Sequence, residues 1–250
     1  MRLFKNDNID DYIIPKDLSI GATGMLNSLL VRTNDELENT DLYALNNDSR
    51  KDVYTFEEFQ KYITGTTSLN DKTMFEMLYY CGLRRCEARG LQWSDIDWNN
   101  KLVSITKQAN SVKDSQKYYE LTPPKTSKSI RTLPLTEVLY NDLVNLYNKK
   151  KKYYGFNDKW FIFGEHEALT FGMMSRINGR IAKNADIWRI PLHSFRHSCA
   201  SLLNTGQPVT TVSKYLGHAS TKETLDTYAH MFPNNLTDVK NTMDNLSLSI

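Results

Sequence analysis

The stretch HSFRHSCASLLNTGQPVTTVSKYLGHASTKETLDTY, residues 193–228, decides how this chain is read. It breaks into three short helical patterns. HSFRHSCASLLNTG is closed by Gly206, and PVTTVSKYLG and TKETLDTYAH follow as two shorter helices. The spacing i to i+3 puts His193 and Arg196 on one face at the start of the first helix. Gly217 ends the second, so His218 projects from a turn. Tyr228 lies ten residues on, on a polar helix where its hydroxyl need not be buried.

Upstream, two further fragments carry reactive side chains: GLRRCE (82–87) and PKTSKSIRTLP (124–134). Helices are predicted around them. TFEE is a capping box with Thr55 as N-cap, and Phe56, Phe59 and Ile63 form a stripe that stops at Gly65. A second helix follows Asn70-Asp71, with Met74, Phe75, Leu78 and Tyr79 inward, and a third runs from Arg84 to about Leu91. Asp97 to Lys101 reads as a turn opening the strand LVSIT, and KYYELTPPKTSKSIRTLPL as two extended runs about a Lys/Ser/Thr turn. Helices from Thr136 and Thr170 carry Leu139, Leu143, Leu146, Tyr147 and Met174, Ile177, Ile181 at helical spacing.

Residues 1–52 are polar and read as an N-terminal segment or linker, 53–235 as the main domain, and 236–250 as a tail that docks in cis or trans. With 40% hydrophobic residues the chain has apolar content for a core. A net charge of +2 does not announce nucleic acid, so any such role needs clustered Lys and Arg. Cys81, Cys86 and Cys199 are too few for a disulfide framework and read as reduced core thiols. No apolar run is long enough for a membrane span or a signal peptide, which points to a soluble, cytoplasmic protein. No His, Cys and carboxylate cluster has metal-ligand spacing.

Taken in order, these fragments resemble the catalytic domain of tyrosine recombinases of the phage-integrase type, whose pattern is G-L-R-x-x-E, a hairpin Lys, H-x-x-R-H, L-G-H and a Tyr about ten residues later. The resemblance implies a mostly α, α+β fold with a small antiparallel sheet packed on a helical bundle. It implies six catalytic residues: Arg84, Lys125, His193, Arg196, His218 and the nucleophile Tyr228. Glu87 would support Arg84, and His197 would line the site. The partner implied is double-stranded DNA, bound by a homotetramer that is a monomer when free. The relatives' N-terminal DNA-clamping domain is not recognisable in residues 1–52, so the expectation is a short or truncated integrase.

The residue types suit that chemistry. Guanidiniums hold non-bridging phosphate oxygens through paired donors and stay charged at any working pH. A tyrosine hydroxyl, with an ordinary pKa near 10, must lose its proton to attack, and His193 is placed to accept it. His218 adds a hydrogen bond to the pentacoordinate phosphorus. The 5′ oxygen leaves only if protonated, the task expected of Lys125, with Lys128 and Arg131 as rivals in the same turn. The phosphotyrosine conserves the bond energy, so neither metal nor cofactor is expected. Arg85, Lys107, Lys128 and Arg131 are candidate DNA contacts, as are Lys113 and Lys117. Arg89 reads as a solvated or phosphate-facing companion of Arg84, and Lys149 to Lys152 as a solvated helix end. Two alternatives stand beside recombination: a DNA-binding remnant, and a type IB topoisomerase.

Overall fold

The computed structural model describes residues 53–112, 119–204 and 206–228. Three helices come first: α1 (Phe56–Thr64), α2 (Leu69–Tyr80) and α3 (Arg85–Gly90). The strands follow as β1 (Ile96–Asp97), β2 (Leu102–Ile105), β3 (Gln108–Ser111), β4 (Tyr119–Thr122) and β5 (Arg131–Pro134). Helices α4 (Glu137–Lys150), α5 (Phe171–Asn184), α6 (Ser194–Asn204), α7 (Val209–Leu216) and α8 (Thr221–Tyr228) complete the domain. The expected tail, and the N-terminal segment 1–52, lie outside the described residues.

Four of the helices, α1, α2, α4 and α5, start where a hydroxyl satisfies an open amide group. Thr55 accepts from the Glu58 N–H while Glu58 accepts from the Thr55 N–H, the reciprocal box expected for α1. Ser68, Thr136 and Thr170 cap α2, α4 and α5 in the same way. The inner face of α1 differs from the expected stripe. Phe56 is exposed and Tyr62 is buried beside Phe59. A period of 3.6 fits both Phe59–Ile63 and Phe59–Tyr62, and packing against α5 selects the second.

Helix α2 is the centre of the domain. Met74, Phe75, Met77, Leu78 and Tyr79 are all fully buried, because α4 and α6 pack on different sides of it. Phe195 of α6 enters this core, 5.1 Å from the Phe75 ring and 5.3 Å from Tyr62. Burying such a ring contributes on the order of 2–3 kcal/mol. It also fixes the start of α6.

The strands form two sheets. β1, β2 and β5 make one antiparallel sheet with Val103 opposite Ile96 and Leu133. β3 and β4 make a separate hairpin, with Ala109 opposite Leu121. The extended runs on either side of the Lys/Ser/Thr turn therefore do not pair with each other. Lys125 sits in the link that carries the chain from one sheet to the other, not at the tip of a hairpin. No helix among the described residues is long and apolar enough to cross a membrane.

Candidate active site

Gly82 sets the direction of the first arginine. Its φ of +56° turns the chain out of α2, and a Cβ there would stand 2.7 Å from Leu216 Cδ2 and 3.0 Å from Cys199 Sγ. Only glycine adopts that conformation and allows that approach without strain. Two residues on, Arg84 occupies the N-cap of α3, and its backbone N–H donates to Glu87 Oε2 at 2.9 Å. The Arg84 guanidinium donates through Nη1 to Glu87 Oε1 at 3.0 Å and through Nη2 to the Gly217 carbonyl at 3.4 Å. One carboxylate thus holds both ends of Arg84, and its second cation is Arg131 (3.0 Å).

The buried Phe195 ring places the residues that flank it. Arg196 is 2% exposed and donates through Nη1 to the Gly82 carbonyl at 2.8 Å. Its helix is anchored further by Ser198, whose hydroxyl accepts from the Tyr54 N–H at 2.9 Å. His193 is exposed, with its ring edge-on to His197 at 4.5 Å. Desolvation among its neighbours, the His197 ring and the charges of Arg196, Arg84 and Arg85 lower its pKa from 6.5 to about 4. His193 is neutral at neutral pH.

Gly217 caps α7 with φ +70°, and its carbonyl accepts from both Arg84 and the Ser129 hydroxyl (3.2 Å). The next residue, His218, is buried, and its backbone N–H donates to Ser213 O at 3.0 Å. Its Nδ1 lies 2.6 Å from Thr224 Oγ1, which belongs to α8. Burial, Arg196, Arg84 and Arg131 hold His218 well below the usual histidine range, partly offset by the Glu223 carboxylate. Glu223 Oε1 stands 3.8 Å from His218 Nε2 and 3.9 Å from Arg84 Nη2. Tyr228 is the last helical residue of α8. Neither Thr224 nor Glu223 was marked by any sequence motif.

The other expected residues divide. Lys125 is exposed, and its charge reaches the Cys86 thiol on α3. Lys128 is exposed and donates to the Ala219 carbonyl beside His218 at 2.8 Å. Lys107 pairs with Asp95 at 2.5 Å, and Arg85 lies over the Phe171 ring at 4.4 Å. Three expectations need correction. Arg131 is no surface DNA contact, because it is buried with donors on Glu87, Tyr215 O and Ser129 O. Arg89 is not solvated, because it is 2% exposed and donates to the carbonyls of Leu169 and Ala109. Lys150 leaves the solvated helix end to reach Glu165 at 2.7 Å. Lys113 and Lys117 lie outside the described residues.

Three guanidiniums, those of Arg84, Arg131 and Arg196, therefore meet around one buried carboxylate, with two neutral imidazoles beside them. The excess positive charge favours an anion, and the half-buried Arg84 guanidinium is the kind of group a phosphate ester pairs with.

The sequence profile of the phage integrase family matches residues 49–235, and the chain belongs to that family. It is 30% identical over 202 residues to the ICEBs1 integrase of Bacillus subtilis (strain 168), covering 76% of this chain and 53% of that protein. It is 27% identical over 212 residues to a XerC-like tyrosine recombinase of Caldanaerobacter subterraneus subsp. tengcongensis, covering 78% and 54%. The chain spans about half the length of the curated relatives it matches. Among solved structures, the Tn1549 transposon integrase in complex with transposon right end DNA superposes with a TM-score of 0.63. That match covers 93% of this chain and 81% of the other, at 20% identity. The XerA recombinase gives 0.56 at 17% identity, covering 77% and 64%. At these identities the likeness is one of fold: the helix-rich tyrosine-recombinase domain with its small antiparallel sheets.

Proposed function

We propose that this chain is the catalytic part of an integrase-type site-specific recombinase, which breaks and rejoins DNA through a covalent 3′-phosphotyrosine at Tyr228. The observation that carries it is the wiring of the three motifs into one site. Arg196 holds the Gly82 turn, Arg84 holds Gly217, and His218 binds the helix that ends in Tyr228.

In this reading Arg84 and Arg196 bind the non-bridging oxygens of the scissile phosphate, and His218 adds a third hydrogen bond. The Tyr228 oxygen attacks phosphorus, its proton passes to His193, and the bond from phosphorus to the 5′ oxygen breaks. Lys125 gives its proton to that oxygen. Rejoining reverses each transfer, with a 5′ hydroxyl as the nucleophile. A histidine with pKa about 4 is a weak base, but a phosphate bound among the arginines offsets their charge and raises it towards the working range. Strand exchange between two duplexes engages four protomers, assembling on DNA from free monomers in the cytoplasm. Names of relatives that include integrases and tyrosine recombinases support recombination over a topoisomerase or a binding remnant.

The test is covalent trapping on a nicked suicide duplex derived from the element's ends. Wild type should yield a protease-sensitive adduct on the 3′ phosphate and Tyr228→Phe none, with DNA affinity unchanged. An adduct in Tyr228→Phe at the wild-type rate sinks the assignment. Relaxation of random-sequence plasmid would favour the topoisomerase.

A further inference from the structure

Arg131 is placed where it bridges the halves of the site. It is buried, 9% exposed, and its two terminal nitrogens meet the two oxygens of Glu87 at 3.1 and 3.0 Å. Glu87 is the same carboxylate that fixes Arg84 by both backbone and side chain. Arg131 Nε reaches the Tyr215 carbonyl of α7 at 2.8 Å, and Nη1 also donates to the Ser129 carbonyl at 3.1 Å. The aliphatic stem lies against Gly217, where a Cβ would fall 3.0 Å from Arg131 Cδ. Arg131 thus touches the support of Arg84 on one side and the turn before His218 on the other.

We infer that Arg131 is a positioning residue, which sets the spacing between Arg84 and His218 through Glu87 and the end of α7 and does not itself touch DNA. The inference rests on the proposed strand-cleavage function. The geometry is specific to arginine: a planar fork meets both carboxylate oxygens while Nε remains for the carbonyl. A lysine supplies one point charge and loses one side of the bridge. Burial pushes the Glu87 carboxyl up, and hydrogen bonds and charge from Arg131 bring it below the ordinary range. Without Arg131, Glu87 loses two hydrogen bonds and its nearest counter-charge, and its hold on Arg84 loosens.

The experiment measures single-turnover cleavage of the suicide duplex by wild type, Arg131→Met, Arg131→Lys, Glu87→Gln and the double variant Glu87→Gln/Arg131→Met. Wild type must form the adduct; if it does not, the proposed function itself fails. Arg131→Met should cleave roughly 30- to 100-fold more slowly at saturating DNA, with affinity and its salt dependence changed less than about threefold. Arg131→Lys should recover part of the rate. The double variant should be no slower than the slower single variant, since both act on Arg84. A loss of affinity with a shallower salt slope and an unchanged rate at saturation would make Arg131 a phosphate contact and overturn the inference. So would additive effects in the double variant. If Arg131→Met does not fold, Arg131→Lys and the double variant, which leaves no unpaired buried charge, decide the same question.

Discussion

The Glu223 carboxylate faces Arg84, with Oε1 3.9 Å from Nη2, and the same oxygen stands 3.8 Å from His218 Nε2. In the free protein a carboxylate therefore lies between two groups proposed to hold the scissile phosphate. Oε2 also accepts from the Ala219 N–H at 3.1 Å, so glutamine can keep that contact while losing the charge. Glu223→Gln is expected to bind duplex DNA about 2- to 5-fold more tightly at low salt, a difference that shrinks as salt screens it. Fluorescence anisotropy across a salt series checks this; equal affinities at every salt concentration would refute it.

Lys125 and Lys107 are separable by leaving-group chemistry. Lys107 is paired with Asp95 at 2.5 Å, whereas Lys125 stands exposed within range of α3. If Lys125 protonates the 5′ oxygen, Lys125→Ala should slow cleavage by about 10²- to 10⁴-fold. Substituting sulfur for the bridging 5′ oxygen should restore most of that rate, because a thiolate leaves unprotonated. Lys107→Ala should show neither the large loss nor the rescue, and the opposite pattern would transfer the role to Lys107.

Gly82→Ala combines a left-handed conformation with a Cβ 2.7 Å from Leu216 Cδ2. Strain and overpacking together should cost about 2–4 kcal/mol in urea unfolding. Because the Gly82 carbonyl also accepts from Arg196, cleavage should fall even under conditions where the variant is folded. Wild-type stability in this variant would show that the turn tolerates a side chain.

Glu76 gives a pH effect remote from the site. Buried between Lys72 and Asp142, its carboxyl is pushed up to about 8, by burial first and then by Asp142. A raised carboxyl holds a proton that the unfolded chain releases, so its stability contribution is full below the ordinary pKa near 4.5. That contribution is lost as pH rises towards 8. Glu76→Gln cannot ionise. Its melting temperature should exceed that of wild type at pH 9 by a few degrees, and the two should converge at pH 5. Parallel curves across that range would rule out the assignment.

The motif residues were legible because each needs a residue type that little else explains: glycine at a positive φ, a His and an Arg three apart, a Tyr beyond a turn. Their contacts were not. Gly82 and Arg196 are far apart in the chain, and nothing local marks the carbonyl of one as the partner of the other. Arg131 and Lys128 share one turn and one charge, and only strand pairing turns Arg131 inward while Lys128 stays at the surface. The two-sheet arrangement was hidden for a similar reason. A run flanking a polar turn looks like a hairpin whether its strands pair with each other or with earlier strands.

The 2.6 Å contact between His218 Nδ1 and Thr224 Oγ1 ties an imidazole on one helix end to the middle of the helix that ends in Tyr228. Whichever of the two atoms donates, sliding α8 breaks that bond and frees the ring to exchange which nitrogen bears hydrogen. Engagement of Tyr228 as the proposed nucleophile and the tautomer of His218 are then one event seen from two sides. An imidazole nitrogen chemical shift would follow the travel of a helix that carries no label of its own.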